Sequence, residues 1–295
     1  MIRLGTRGSR LARTQSGVVA DAIAAAIGAV ETVVIRSEGD DTKVALDAFV
    51  RPGAFVAALE DALLDGRVDV VVHSYKDLPS ASTPGLVVAA VPVRAGVADV
   101  LVARHGMTLA DLPPGATVGT SSPRRSAAVL RARPDLTVVP LRGNVDTRLR
   151  AVSEGRLDAV VLAQAGLERL GVLTEDMTMF DTDVMLPAPA QGALAVQCRA
   201  DDPLAERLAG LDDACTRLCV TAERTVLAEI EAACTTAVGA LARTESGWLT
   251  LEAEIAEHRG VLFARHGDRV EVDGGLEAAE DLGRRVARIL LEDAR

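Results

Sequence analysis

Val68 to His73 reads Val-Asp-Val-Val-Val-His, and Leu157 to Ala163 is a second run of nearly unbroken apolar residues. A strand apolar on both faces needs a helical layer on each side, the situation of a parallel sheet inside an α/β protein. Each run therefore predicts the centre of a covered sheet. Residues 2–5 and 32–36 are further short apolar strands. Ser9 to Ile27 between them has helical spacing with Ser9 as N-cap, which makes a β-α-β opening. Phe55 to Leu64 predicts a helix stopped by Gly66. Leu86–Val93 and Val97–Ala103 predict two strands joined by Arg94-Ala95-Gly96. Gly39 to Pro52 has no regular period and predicts a mobile loop.

A second β-α unit begins at Thr117, with strands over Val138–Leu141 and Leu157–Ala163 and helices over Val145–Glu154 and Ala165–Leu170. Leu186-Pro187-Ala188-Pro189-Ala190 reads as a hinge, and Ala193–Cys198 as a strand returning to the first sheet. Asp213–Glu231 predicts a long amphipathic helix. Beyond it the period falls to two over Trp248–Ala256, Val261–His266 and Arg269–Val272. That predicts an antiparallel meander closed by a helix over Leu276–Leu291. The fold class expected is α/β: two lobes like those of periplasmic binding proteins, joined by two hinge crossings, plus a small C-terminal α+β domain with a three-stranded antiparallel sheet. The expected domains are 1–93 with 192–210, then 98–186, then 213–295. A chain of 295 residues can bury that many cores.

The charge pattern narrows the function. The formal net charge is -10 and aromatics are 2 % of the chain, which disfavours nucleic acid and base-stacking modules. Met1-Ile2-Arg3-Leu4 runs directly into Gly5-Thr6-Arg7, so no export leader is expected, and a cytoplasmic protein with reduced thiols is. Cys198, Cys215, Cys219 and Cys234 form no paired ligand spacing with the four histidines, and no metal is expected. Neither a Walker A loop nor a G-x-G-x-x-G fingerprint is present.

Against this acidic background, seven arginines fall between Arg124 and Arg150 with only Asp135 and Asp146 among them. Gly119-Thr120-Ser121-Ser122-Pro123-Arg124-Arg125 follows one short strand, and Leu141-Arg142-Gly143-Asn144-Val145-Asp146-Thr147-Arg148 follows the next. Backbone N–H groups and hydroxyls at a helix start attract anions, and guanidinium forks match carboxylate or phosphate. Arg131, Arg133 and Arg150 read as surface charges. The end of the Val68–His73 strand, Ser74-Tyr75-Lys76-Asp77-Leu78-Pro79, places a cation beside a carboxylate where α/β sheets bind ligands. Such a carboxylate can move a proton or stabilise a developing cation. Arg7 and Ser9 follow the first strand in the same way. Cys234 sits among small residues, open either to nucleophilic chemistry or to simple packing.

Taken in order, these segments resemble the porphobilinogen deaminase (hydroxymethylbilane synthase) family nearly end to end. The matching pieces are Thr6-Arg7-Gly8-Ser9 with Gln15, Val72 to Pro79, Val118 to Arg125, Leu141 to Val145 with Thr147-Arg148, Leu162-Ala163 with Ala165-Gly166-Leu167, Leu186-Pro187-Ala188 with Gln191-Gly192-Ala193, and the loop of Cys234. The resemblance implies a monomeric enzyme of tetrapyrrole biosynthesis. It would join four porphobilinogen molecules head to tail, releasing ammonia, to give hydroxymethylbilane. The family builds the chain on a dipyrromethane cofactor held by a thioether, and Cys234 matches its attachment point. Asp77 matches the catalytic carboxylate that contacts pyrrole N–H groups and stabilises the azafulvene cation. The resemblance implies cofactor contacts from Lys76, Ser122, Arg124, Arg125, Arg142, Arg148, Ser74, Thr120, Ser121 and Asn144. It implies substrate contacts from Arg7, Ser9, Gln15, Arg142, Arg148 and Arg169, and a lid carrying Arg51 and Phe55.

The chain departs from the family pattern in places. Arg51-Pro52 stands where Gly-Lys is frequent, and Ala57 where Lys is frequent. Ala232-Ala233 replaces Gly-Gly before Cys234, and Ala237 a common Pro. A reading from another class, a non-catalytic two-lobed receptor for a small dicarboxylate, shares the lobes and hinges but does not account for Asp77 among cations or for Cys234.

Overall fold

The computed structural model describes residues 1–35, 54–233, 237–256 and 263–294. In chain order the first elements are β1 (Ile2–Thr6), α1 (Arg10–Ala26), β2 (Val30–Val34), α2 (Ala54–Leu64), β3 (Val70–Ser74) and β4 (Leu86–Ala90). Next come β5 (Asp99–Ala103), β6 (Thr117–Gly119), α3 (Pro123–Ala132), β7 (Thr137–Val139), α4 (Val145–Ser153), β8 (Ala159–Ala163), α5 (Gln164–Leu170) and β9 (Thr178–Met179). The last are β10 (Leu194–Arg199), α6 (Leu204–Leu208), α7 (Ala214–Ala233), β11 (Ala237–Glu245), β12 (Trp248–Ala256), β13 (Phe263–Glu271) and α8 (Gly275–Asp293).

These elements fall into two compact units, Met1–Arg94 with Ala193–Thr216, and Ala95–Gly192 with Arg217–Arg295. The first holds a five-stranded sheet in the order β2-β1-β3-β10-β4. β1 runs parallel to β2 and β3, whereas β10 is antiparallel to both its neighbours. Val70 and Val72 pack toward Val19 and Ile23 of α1, and Val71 toward Leu59 and Leu63 of α2. The apolar run is thus buried on both faces, as expected, but the sheet is mixed rather than parallel.

The second unit contains a sheet of order β7-β6-β8-β5-β9 and the sheet β11-β12-β13. Here too one strand of the five, β5, runs against the others. In the small sheet Ala240, Ala242, Leu249, Leu251, Ala253 and Ile255 pack on Ala222, Val226 and Ile230 of α7 and on Leu282, Val286 and Leu290 of α8. The three-stranded antiparallel sheet is as expected, but its membership is not. Of the expected strands Val261–His266 and Arg269–Val272, residues 261 and 262 lie outside the described residues, and the rest do not form two strands. Gly267 and Asp268, which look like a turn, sit mid-strand in β13 opposite Glu252 and Leu251. Asp268 is held there by Arg285 of α8 at 2.8 Å. The third strand is β11, whose Ala- and Gly-rich sequence carries little β propensity and is held by pairing with β12.

Buried carboxylates brace this unit. Glu223 of α7 is fully buried and accepts from the N–H groups of Ala190 (2.6 Å) and Ala242 (2.8 Å), tying residues 187–192 to β11. Glu254 of β12, 2 % exposed, meets Arg131 of α3 at 3.4 Å. Burial pushes its carboxyl above the usual range, with Arg131 and Arg265 opposing. Gly192, at φ +88°, lies so close to Ala95 that a Cβ would fall 2.5 Å from the Ala95 carbonyl oxygen. Among the described residues no helix is long and apolar enough to cross a membrane.

Candidate functional site

In the first unit the predicted residues gather at the carboxyl ends of two adjacent parallel strands. β1 ends at Thr6 and continues through Arg7 to Ser9, which caps α1 by accepting from the Ala12 N–H at 3.3 Å. Ser16 of α1 donates to Thr6 Oγ1 at 2.8 Å, fixing the turn from below. β3 ends at Ser74 and runs into one turn of 3-10 helix, Tyr75–Asp77. Gln15, 6 % exposed on α1, donates to Ser74 Oγ at 2.8 Å, so α1 holds the ends of both strands. Lys76 is half-buried and Asp77 exposed. A carboxylate at the open end of a covered sheet can reach a ligand without losing its own hydration on folding.

In the second unit the residues flank two helix starts. Ser122 caps α3, accepting from the Arg125 N–H at 3.4 Å, and Pro123 occupies the first helical position. Asn144 caps α4, accepting from the Thr147 N–H at 2.9 Å and from its hydroxyl at 2.8 Å. Ser121 joins the two junctions: its hydroxyl donates to the Leu141 carbonyl and accepts from the Leu141 N–H, both at 3.0 Å. Thr120, nearly fully buried, accepts from the Ser122 N–H at 3.1 Å. Gly143 has φ +111°, a conformation side chains rarely adopt, and there Arg148 donates Nε to its carbonyl at 2.9 Å. Arg142 is exposed and has no hydrogen-bond or ion-pair partner among the described residues. Arg169 of α5 donates to the Gly192 carbonyl at 2.7 Å, and burial lowers its guanidinium pKa from the ordinary value.

Arg124 and Arg125 have a surrounding that was not legible beforehand. Both are buried, at 6 % and 7 % exposed, against a fully buried Asp99. Arg124 Nη1 lies 2.7 Å from Asp99 Oδ2 and also donates to the Leu186 carbonyl. Arg125 donates to Asp99 Oδ1 and to the Val161 carbonyl. Gln191, also buried, donates Nε2 to the Asp99 carboxylate and to the Val97 carbonyl. The one available signal was the charged residue heading the apolar run Asp99–Ala103.

Cys234 and Arg51 lie outside the described residues, as does the expected loop Gly39–Pro52. Phe55 falls in the first turn of α2. Among the described residues no cluster of His, Cys, Asp and Glu could hold a metal ion.

The donor set suits a polycarboxylate. Two guanidiniums face the single acid Asp99, Arg142 is exposed, and two helix N-termini with hydroxyls lie at one edge of the same sheet.

Residues 2–207 match the family model for the porphobilinogen deaminase dipyromethane cofactor binding domain, and residues 217–292 match that for the porphobilinogen deaminase C-terminal domain. The chain belongs to the porphobilinogen deaminase family. A porphobilinogen deaminase of Nocardia farcinica is 50 % identical over 99 % of this chain and 86 % of its own length. One from Mycolicibacterium gilvum is 48 % identical over 99 % and 96 %. Another, from Thermobifida fusca, is 49 % identical over 98 % and 93 %. An ancestral cationic amino acid solute binding protein aligns with TM-score 0.42 and 16 % identity, covering 71 % of this chain and 87 % of that one. A Salmonella typhimurium periplasmic binding protein aligns with TM-score 0.39 and 16 % identity, covering 71 % and 90 %.

Proposed function

We propose that this chain is a cytoplasmic, monomeric transferase of tetrapyrrole biosynthesis that deaminates porphobilinogen and joins four molecules head to tail into hydroxymethylbilane. The observation that carries the reading is the pair of family matches, which together span residues 2–207 and 217–292. In this reading the chain works as three domains, 1–93 with 192–210, 98–186 and 213–295, and Cys234 holds a dipyrromethane cofactor through a thioether. When bound, that group supplies the pyrrole carbon to which the first substrate is joined.

The chain's own residues supply charge and position. Each porphobilinogen carries two carboxylates, so a growing oligomer needs fixed cations at several points. Arg124, Arg125, Arg142, Arg148 and Lys76, with Ser74, Thr120, Ser121, Ser122 and Asn144, would hold cofactor carboxylates. Arg7, Ser9, Gln15 and Arg169, with Arg142 and Arg148, would hold those of the substrate. Arg51 and Phe55 belong to the lid. Permanently charged forks suit this task because they bind each carboxylate bidentately. Asp77 has a different task. Loss of ammonia leaves positive charge on the substrate, and a carboxylate accepting the pyrrole N–H groups lowers the energy of that state directly. No metal, nucleic acid or membrane enters the reading.

Intact mass spectrometry of purified active protein tests it. The expected mass exceeds that of the chain by two pyrrole units, and the adduct is lost in Cys234→Ala. An unmodified mass in protein that turns over porphobilinogen would remove the cofactor from the account. Absence of ammonia release from porphobilinogen would remove the activity itself.

A further inference from the structure

The small antiparallel sheet carries a cavity that none of the residues assigned to substrate or cofactor lines. Its volume is about 460 Å³, and Leu241, Arg243, Thr250, Glu252, Gly267 and Arg269 stand around it. Register explains why they meet. Arg243 of β11 pairs with Thr250 of β12, and Thr250 with Arg269 of β13. Residues directly opposite share a face, so the three side chains form one row across the sheet. Leu249 and Leu251, their neighbours along β12, pack with α7 and α8. Alternation therefore puts the row on the face turned away from those helices. In the next row Glu252 lies between Leu241 and Gly267. A Cβ at Gly267 would meet nothing closer than 3.5 Å, so the missing side chain is what leaves the space open.

The charges here are unevenly matched. Glu252 accepts from Arg265 at 2.6 Å, and Asp268 from Arg285 at 2.8 Å. The two arginines of the row have no such partner. Arg243 is exposed, and its guanidinium makes no hydrogen bond or ion pair among the described residues. The Arg269 guanidinium makes none either and lies over the Trp248 ring, 4.5 Å from its centroid. Glu245 and Glu271 flank Trp248 one row farther out, and neither pairs with these arginines. The Thr250 hydroxyl donates to the Arg243 carbonyl at 3.2 Å, which leaves its oxygen as an acceptor.

Positions two strands apart are about 10 Å from one another, so the two forks suit two separate anionic groups better than one compact ion. A carboxylate matches each fork bidentately, and buried Leu241 gives an apolar wall for the carbons between. We propose that this face binds a small organic dicarboxylate, one carboxylate on Arg243 and the other on Arg269, with its spacer over Thr250 and Gly267.

Trp248 is the one tryptophan of the chain, so its fluorescence reports from beside Arg269. Glutarate is titrated into the full-length protein, primer attached, at constant ionic strength. A saturable change is expected, with Kd on the order of 1 mM for two exposed charge-assisted contacts. Propionate and sulfate at the same ionic strength are expected to give none. Arg243→Gln removes one fork, and Gly267→Val fills the cavity with a residue suited to a strand. Both should abolish the response while circular dichroism and turnover of porphobilinogen stay at wild-type values. A flat glutarate titration through about 20 mM overturns the proposal. So does a response to sulfate as strong as that to glutarate, or a glutarate response kept in both variants. Porphobilinogen is itself a dicarboxylate, and a second arm titrates it into Asp77→Asn, where turnover does not consume it; this arm alone rests on the reading of Asp77. Binding tighter than glutarate's and lost on adding Arg243→Gln assigns the site to the enzyme's own substrate, and weaker binding assigns it to other dicarboxylates.

Discussion

Arg125 directs both Nε and Nη2 at one oxygen of Asp99, at 2.9 and 2.7 Å, while Arg124 approaches the other oxygen at 2.7 Å. One buried carboxylate thus faces two buried guanidiniums on consecutive residues of α3 and balances the charge of one. The arrangement anchors α3 to the head of β5 and leaves an excess of positive charge at the start of that helix.

Asp99→Ala should therefore be severely destabilising. Removing one partner of a buried ionic group leaves charges without compensation, at a cost of about 3–5 kcal/mol. The urea midpoint should fall accordingly. A loss under 1 kcal/mol would mean that water reaches both arginines.

Arg142→Ala should behave oppositely. The side chain is exposed and has no partner among the described residues, so thermal stability should be unchanged. Weaker carboxylate binding should raise KM for porphobilinogen by about ten-fold, the worth of a charge-assisted hydrogen bond. Unaltered kinetics would take Arg142 out of the binding set.

Asp77→Asn should keep both the fold and the mass adduct. Turnover should drop by roughly 10²–10³, the usual cost of removing a group that stabilises transition-state charge. Near-normal turnover would exclude Asp77 as the catalytic carboxylate.

Ala190 has φ +61°, where an alanine is strained by about 1–2 kcal/mol and glycine is not. Ala190→Gly removes that strain but adds freedom to the unfolded chain, so a net gain of about 0.5–1 kcal/mol is expected in calorimetry. Destabilisation would show that Glu223, which receives the Ala190 N–H, holds the backbone in some other conformation.

His73 should make the fold sensitive to mild acid. Its pKa is lowered by burial from 6.5 to about 4 in the folded state, so between those values the unfolded chain binds a proton that the folded chain refuses. Stability then falls as pH drops through that window, by on the order of 3 kcal/mol in total. Asp69 and Asp158, whose pKa values are lowered by their hydrogen bonds to Arg3 and Thr117, also lose stability on acidification. The His73 share is the difference in slope between wild type and His73→Gln. Equal slopes would show the imidazole to be solvated.

The legible parts of the site were those whose chemistry is local. Ser122 and Asn144 cap their helices because a short polar side chain before an amphipathic run satisfies N–H groups three residues on. Arg142 and the pair Lys76–Asp77 stand out because they are charges just beyond a strand end. The buried bonds of Asp99, Gln191 and Glu223 and of the pair Gln197–Glu60 were not legible. Their partners lie 26, 92, 33 and 137 residues away, and no short-range pattern relates such positions. β11 was missed as a strand because its alanines and glycine carry no alternation.

The sequence by itself determined the α/β elements, the helix caps, the basic stretch after two short strands and the acidic residue following Lys76. These follow from periodicity and residue chemistry over a few positions. Only the tertiary structure decided that each large sheet has one strand running against the rest, that Gly267 lies within a strand, and that Arg124 and Arg125 share one buried acid. Strand direction and buried ion pairing depend on residues far apart in the chain that meet only when apolar faces are covered. Their energies come from desolvation, which exists only once the core has formed.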